Sequence, residues 1–153
     1  MKYYLKIIAI IFLIVSAIGF FDATYLTVEH YRGSVPPCSI AGCEVVLVSQ
    51  YSVVAGVPVA LLGAFYYLMI LVLSIAYLDN KKEIIIYLAA YSTFAGFIAS
   101  IYFVYLQIFV IGHICQYCMV SATTSTILFI FGMYVIFKKE NRSKVDIIVD
   151  KNC

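Results

Sequence analysis

With 153 residues, 65% of them hydrophobic and only 12% charged, the chain is too apolar for an ordinary soluble domain. Its net charge of +2 comes from clustered basic residues that read as a topology signal, so no nucleic-acid partner is called for. The composition places the chain in a lipid bilayer, as an all-α integral membrane protein.

Four stretches are long and apolar enough to span about 30 Å of hydrocarbon: residues 7–26, 57–78, 84–111 and 115–137. The first carries one charge, Asp22, and the other three carry none. Lipid offers no partner to backbone N–H and C=O groups, so each stretch should be an α-helix. The expected architecture is a single membrane domain over 1–153, a four-transmembrane-helix bundle with a long extracytoplasmic loop between helices 1 and 2. Lys2 and Lys6 before the first span, followed by an apolar run and Ser16-Ala17-Ile18-Gly19, also resemble a cleavable signal peptide. The run continues to Leu26, which favours a span.

Residues 31–56 form the first connection. Gly33, Pro36, Pro37 and Gly42 make 31–43 extended and turn-rich, and 44–51 (EVVLVSQY) suits a short interfacial helix. Pro58 suits the first turn of the second span, and Asp79-Asn80-Lys81-Lys82-Glu83 a tight turn before the third. After the fourth span comes a basic tail, 138–153, expected to be poorly ordered and to end in a free thiol without a role, Cys153. Nine of the ten basic residues fall before span one, between spans two and three, or after span four; only Arg32 lies on the other side. The positive-inside rule puts both termini in the cytoplasm of a plasma or inner membrane, with 31–56 and the turn at Gly112-His113 outside. Fourteen tyrosines and no tryptophan make the interfacial belt, while Tyr66, Tyr67, Tyr91 and Tyr102 sit deeper, where a phenol needs a partner.

Four of the five cysteines form two close pairs on that outer face, where disulfides persist. Cys115-Gln116-Tyr117-Cys118 is a CxxC at a helix start. Positions three apart share a helix face, so the two sulfurs can bond, and the helix N-terminus favours a thiolate. Cys38 and Cys43 would close a ring too short to constrain the unfolded chain much, so a reducible shuttle explains them better than a staple. Two static disulfides in a transporter or scaffold, or a four-cysteine zinc site, compete with that redox reading. The oxidising compartment argues against zinc, and no metal is expected.

The residues resemble the vitamin K epoxide reductase family in its short bacterial or archaeal form. The likeness runs through Asp22, Tyr25-Leu26-Thr27 and His30, then Cys38, Gly42-Cys43-Glu44, Val46 and Ser49. It continues in Gly56-Val57-Pro58-Val59-Ala60, Gly63, Tyr102 and Tyr105-Leu106-Gln107 before the CxxC. The resemblance implies a thiol:quinone oxidoreductase that supports disulfide formation. A separate extracytoplasmic thioredoxin-like (DsbA-like) protein would reduce the Cys38–Cys43 bridge. Cys43 would then attack the Cys115-Cys118 bridge at Cys115 through a transient Cys43-Cys115 disulfide. Cys118 would face the acceptor, a membrane quinone (ubiquinone, menaquinone or similar). Ser49 would assist at the quinone; otherwise it caps a helix in the loop. Where vertebrate members carry a quinone-contacting Tyr and an Asn, this chain has Ala122 and the apolar stretch around Val59, which favours ordinary quinone over the epoxide. A DsbB-like quinone reductase is the alternative, but that family carries its two pairs in the reverse order. Asp22 and Glu29, seven apart on one face, suit either a proton relay to the quinone or, as favoured, side chains meeting water at a helix end. His113 suits either thiolate stabilisation or a solvated turn.

Overall fold

A computed structural model describes residues 2–151, with side chains over 3–138. In chain order the elements are α1 (Lys2–Arg32), α2 (Cys43–Leu47), a 3₁₀ turn (Gln50–Ser52), β1 (Val53–Val54), β2 (Val57–Pro58), α3 (Val59–Asn80), α4 (Glu83–Tyr105), a π-type turn (Leu106–Ile111) and α5 (Gln116–Lys151). Cys153 lies outside the described residues.

Helices α1, α3, α4 with its π-type turn, and α5 are long and apolar enough to cross a membrane. The chain is therefore an all-helical, multi-pass membrane protein, as its composition requires. Helix α1 packs against α3 and α5, and α4 against α5 and α3. Phe12, Ile70, Ile86 and Leu128, one from each helix, are fully buried at the centre. The α1–α3 approach depends on Gly19, where a Cβ would strike the Tyr67 ring. Tyr67 in turn donates to the Ser121 carbonyl at 2.7 Å and meets Thr124 Oγ1 at 2.8 Å, tying α3 to α5.

Several local features differ from the sequence expectation. The short helix in the loop begins at Cys43 rather than beyond it. Strands β1 and β2 pair antiparallel around Ala55 and Gly56, both at positive φ, a hairpin too short to leave an alternating pattern. Helix α3 starts one residue after Pro58, which precedes the first turn instead of joining it. The turn between α3 and α4 is tight, as expected, with Lys81 left-handed at φ 54°. The segment expected to be a poorly ordered tail continues α5 to Lys151. Its run of Lys, Glu and Arg has good helix propensity and no Gly or Pro to stop it. Of the four deeper tyrosines, Tyr67 is buried, but Tyr91 and Tyr102 are exposed on the outside of the bundle, where lipid would cover them.

Candidate functional site

Local backbone chemistry brings the two cysteine pairs together. Gly42 adopts a left-handed conformation, φ 89°, and turns the extended loop into α2, so that Cys43 is the first helical residue. A Cβ on Gly42 would strike the His113 imidazole, so the missing side chain is what lets the turn before α5 close over the loop. Three hydrogen bonds hold the junction. The Cys115 N–H donates to Gln107 Oε1 at 2.9 Å, the Ser39 N–H to Gln116 Oε1 at 3.2 Å, and Tyr117 OH to the Pro37 carbonyl at 3.0 Å. Gln107 is buried and projects from the π-type turn, where the widened backbone breaks the α-helical register. Its amide donates at the other end to the Phe103 carbonyl at 3.4 Å.

This scaffold grades the sulfurs by exposure. Cys38 is half-buried at the surface and disulfide-bonded to Cys43, with 5.9 Å between their Cα atoms. Cys43 and Cys115 are both 0% exposed, and their Sγ atoms lie 3.5 Å apart, about van der Waals contact. No loop swing is needed to bring Cys43 to Cys115, contrary to the flexible arm that the Pro/Gly content suggests. Cys115 and Cys118 are thiols, so the expected second bridge is present as its reduced pair. The Cys118 thiol hydrogen-bonds to Cys115 and, with the N–H groups of Cys118 and Tyr117, outweighs burial to bring the Cys115 thiol down to about 7.

Below the sulfurs lies a cavity of about 810 Å³, roomy by the standard of small-molecule sites, which run roughly 300–1,000 Å³. Cys118, Ser121, Ala122 and Ser125 line it from α5, Asp22 from α1 and Tyr66 from α3, with Ser49 at the loop that closes one end. Most of its wall is apolar, yet Asp22 Oδ2, Tyr66 OH and Ser125 Oγ are buried there without a hydrogen-bond partner. Tyr66 and Ser125 are neighbours but do not complete a bond to each other. The Tyr66 phenol rests against Gly96, where a Cβ would meet its oxygen. An unsatisfied buried polar group costs about 1–3 kcal/mol. Three around one apolar space fit a flat apolar molecule with carbonyl oxygens, to which Tyr66 and Ser125 would donate. A membrane quinone has that chemistry.

Ser49 lines the cavity but donates to the Val46 carbonyl at 2.8 Å, so in this structure its proton is engaged in the local cap. His113 packs on Gly42 and is exposed. Among the described residues, no group of three or more His, Cys, Asp or Glu is placed to hold a metal ion. The sequence reading did not assign roles to Gln107, Tyr66 or Ser125. The available signal was an uncharged polar side chain inside an apolar span, which more often marks a helix contact than a site.

The chain matches the Vitamin K epoxide reductase family over residues 10–133, which takes in both cysteine pairs and the cavity. No curated protein matches it significantly.

Proposed function

The chain belongs to the vitamin K epoxide reductase family, a family of membrane disulfide oxidoreductases, and on that footing we propose that it carries electrons from an extracytoplasmic dithiol protein to a membrane quinone. The observation that carries this reading is the sulfur line: half-exposed Cys38 bonded to buried Cys43, Cys43 Sγ 3.5 Å from Cys115 Sγ, and Cys118 on the cavity wall.

The thiolate of a thioredoxin-like partner attacks Cys38, the member of its pair that solvent reaches. Loss of the partner as a disulfide leaves Cys38 and Cys43 reduced. Cys43 then attacks the Cys115-Cys118 bridge at Cys115, releasing Cys118 as the thiolate. Cys115 is the better of the two targets because Cys43 already touches it. Cys38 resolves the Cys43-Cys115 disulfide, which restores the Cys38–Cys43 bond and leaves Cys115 and Cys118 as thiols. Re-forming the Cys115-Cys118 bridge returns the chain to its starting state.

Tyr66 and Ser125 would hold the quinone by donating to its oxygens, and Ser49 would contact it from the loop side. A bound quinone supplies an acceptor for two electrons and two protons. Donor pairs of the DsbA type lie near −120 mV, and about 30 mV of a two-electron step is worth roughly 1.4 kcal/mol, so the acceptor must be strongly oxidising. Ala122 and Val59 both line the cavity and offer no hydrogen bond there, which supports ordinary quinone over an epoxide as substrate. The distribution of basic residues supports an orientation with both termini in the cytoplasm and the cysteine end outside, facing the compartment where such a partner works.

Reconstitution of the full chain with a reduced thioredoxin-like protein and a short-chain ubiquinone tests the reading. Wild type should reduce the quinone, and Cys118→Ala should stop it while still exchanging with the partner at Cys38. Undiminished quinone reduction by Cys118→Ala would reject the mechanism.

A further inference from the structure

The cysteine relay leaves Asp22 unused. Helix α1 turns one face to the cavity, on which Asp22, Leu26, Glu29 and His30 follow one another at helical spacing, with Gly33 just beyond the helix end. Glu29 lies on the loop side of that row, paired with Arg32 at 3.8 Å and accepting from the Ser34 hydroxyl. Asp22 begins it, with Oδ2 buried and unpartnered. The favoured sequence reading, an acid meeting water at a helix end, does not describe such a group. The same cavity is lined by Cys118 and Ser125 from α5 and by Tyr66 from α3.

The other titratable groups near this space are few. From α3 come the Tyr66 and Tyr67 phenols, and from the 3₁₀ turn the Tyr51 phenol. From α5 and the residue before it come Cys118 and Cys115, and from α1 itself Glu29 and His30. Helix α4 presents no titratable side chain to the cavity. Asp22 and Cys118 line the same cavity, and a carboxylate at Asp22 disfavours ionisation of Cys115.

A dithiol that closes to a disulfide must lose two protons as well as two electrons, and a quinone must gain both. We propose that Asp22 is the proton-handling residue of this site: its carboxylate accepts a thiol proton from the Cys115/Cys118 pair and passes it to an oxygen of the acceptor. This rests on the thiol-to-quinone reading above. Over one turnover two S–H bonds break and the Cys115-Cys118 S–S bond forms. The two electrons go to the quinone, and the two protons pass one after the other through Asp22 to its two oxygens. Asp22 finishes as the carboxylate it was at the start.

The test compares wild type, Asp22→Asn and Asp22→Glu as full-length protein, in two measurements. First, ionisation of the inner thiols in quinone-free reduced protein is followed by ultraviolet thiolate absorbance across a pH series. Removing the charge in Asp22→Asn should lower the pH at which Cys115 ionises. Second, closure of the inner disulfide on adding short-chain ubiquinone is followed in a single turnover. Asp22→Asn should slow it by about 100-fold, the low end of general acid–base catalysis, flatten its pH dependence, and be partly rescued by Asp22→Glu. The two effects have opposite senses, because a more readily ionised thiol would by itself speed the reaction. An ionisation profile that does not move, or closure at the wild-type rate in Asp22→Asn, overturns the proposal. If wild type closes no bridge on quinone, the functional reading fails and this proposal with it.

Discussion

The two ends of the bundle are held together by different forces. Away from the cysteines, helices meet largely through apolar packing: Phe12, Ile70, Ile86 and Leu128 in the middle, with the Phe97 and Phe129 rings stacked at 4.2 Å. At the cysteine end, the loop, α2, the π-type turn and the start of α5 are joined by directional bonds between side chain and backbone. In hydrocarbon, lipid tails are as apolar as leucine, so close packing sets helix spacing but distinguishes poorly between nearby alternatives. Two sulfurs held at 3.5 Å need finer placement, and the hydrogen bonds to Cys115, Ser39 and Pro37 supply it.

Mutations at the two ends should therefore fail in different ways. The largest effect falls on the relay itself: Cys43→Ser should abolish electron transfer from a protein dithiol to Cys115 and Cys118, leaving the partner trapped on Cys38. A trapped mixed disulfide on gels would record this, and continued quinone reduction would contradict the sulfur line. Next comes Leu128→Ala in the apolar half, which should cost about 2–5 kcal/mol and lower the thermal midpoint, with the exchange rate of the folded fraction unchanged. If that rate fell with stability, the two halves would not be separable as described. At the cysteine end, Gly42→Ala must hold a left-handed backbone, at about 1–2 kcal/mol, and also displace His113. It should slow Cys43–Cys115 exchange about tenfold, since about 1.4 kcal/mol is a factor of ten in rate. Gly33→Ala meets the same backbone conformation with nothing within 4 Å and should leave exchange untouched. Stopped-flow comparison of the pair isolates the contact from the backbone strain. The smallest effect is in pH. In the reduced inner pair, the ultraviolet thiolate absorbance of Cys115 should rise with pH through a midpoint near 7. Cys118→Ala removes the hydrogen bond that most lowers this value, so the midpoint should rise.

What the sequence made readable was whatever repeats or stands out: four apolar spans, a tight turn at Lys81, and two cysteine pairs whose spacing carries chemistry of its own. Features that depend on where one element meets another were not readable. Gln107 is an amide without an assigned role in an apolar run until the π-type turn aims it at the Cys115 N–H. Asp22 looked like a helix-end acid because its distance from the interface can be counted along the chain, whereas a cavity beside it cannot. Tyr66 and Ser125 are 59 residues apart and acquire a shared meaning only as neighbours. Gly42 was legible as a turn residue, but the reason it must lack a side chain is His113, a residue from another loop.

The absence of exposed surface on Cys43 and Cys115 has a consequence for wear. Oxidants such as hydrogen peroxide damage sulfur in proportion to its thiolate character and accessibility, from reversible sulfenic acid to irreversible higher acids. Cys115 has the thiolate character but no accessible surface, and Cys38 has the access. Oxidative attack from water is thus directed to the sulfur whose neighbour, Cys43, can condense with a sulfenic acid to restore the disulfide. The easily ionised Cys115 stays dry, and peroxide damage at the surface ends in a bond the chain already uses.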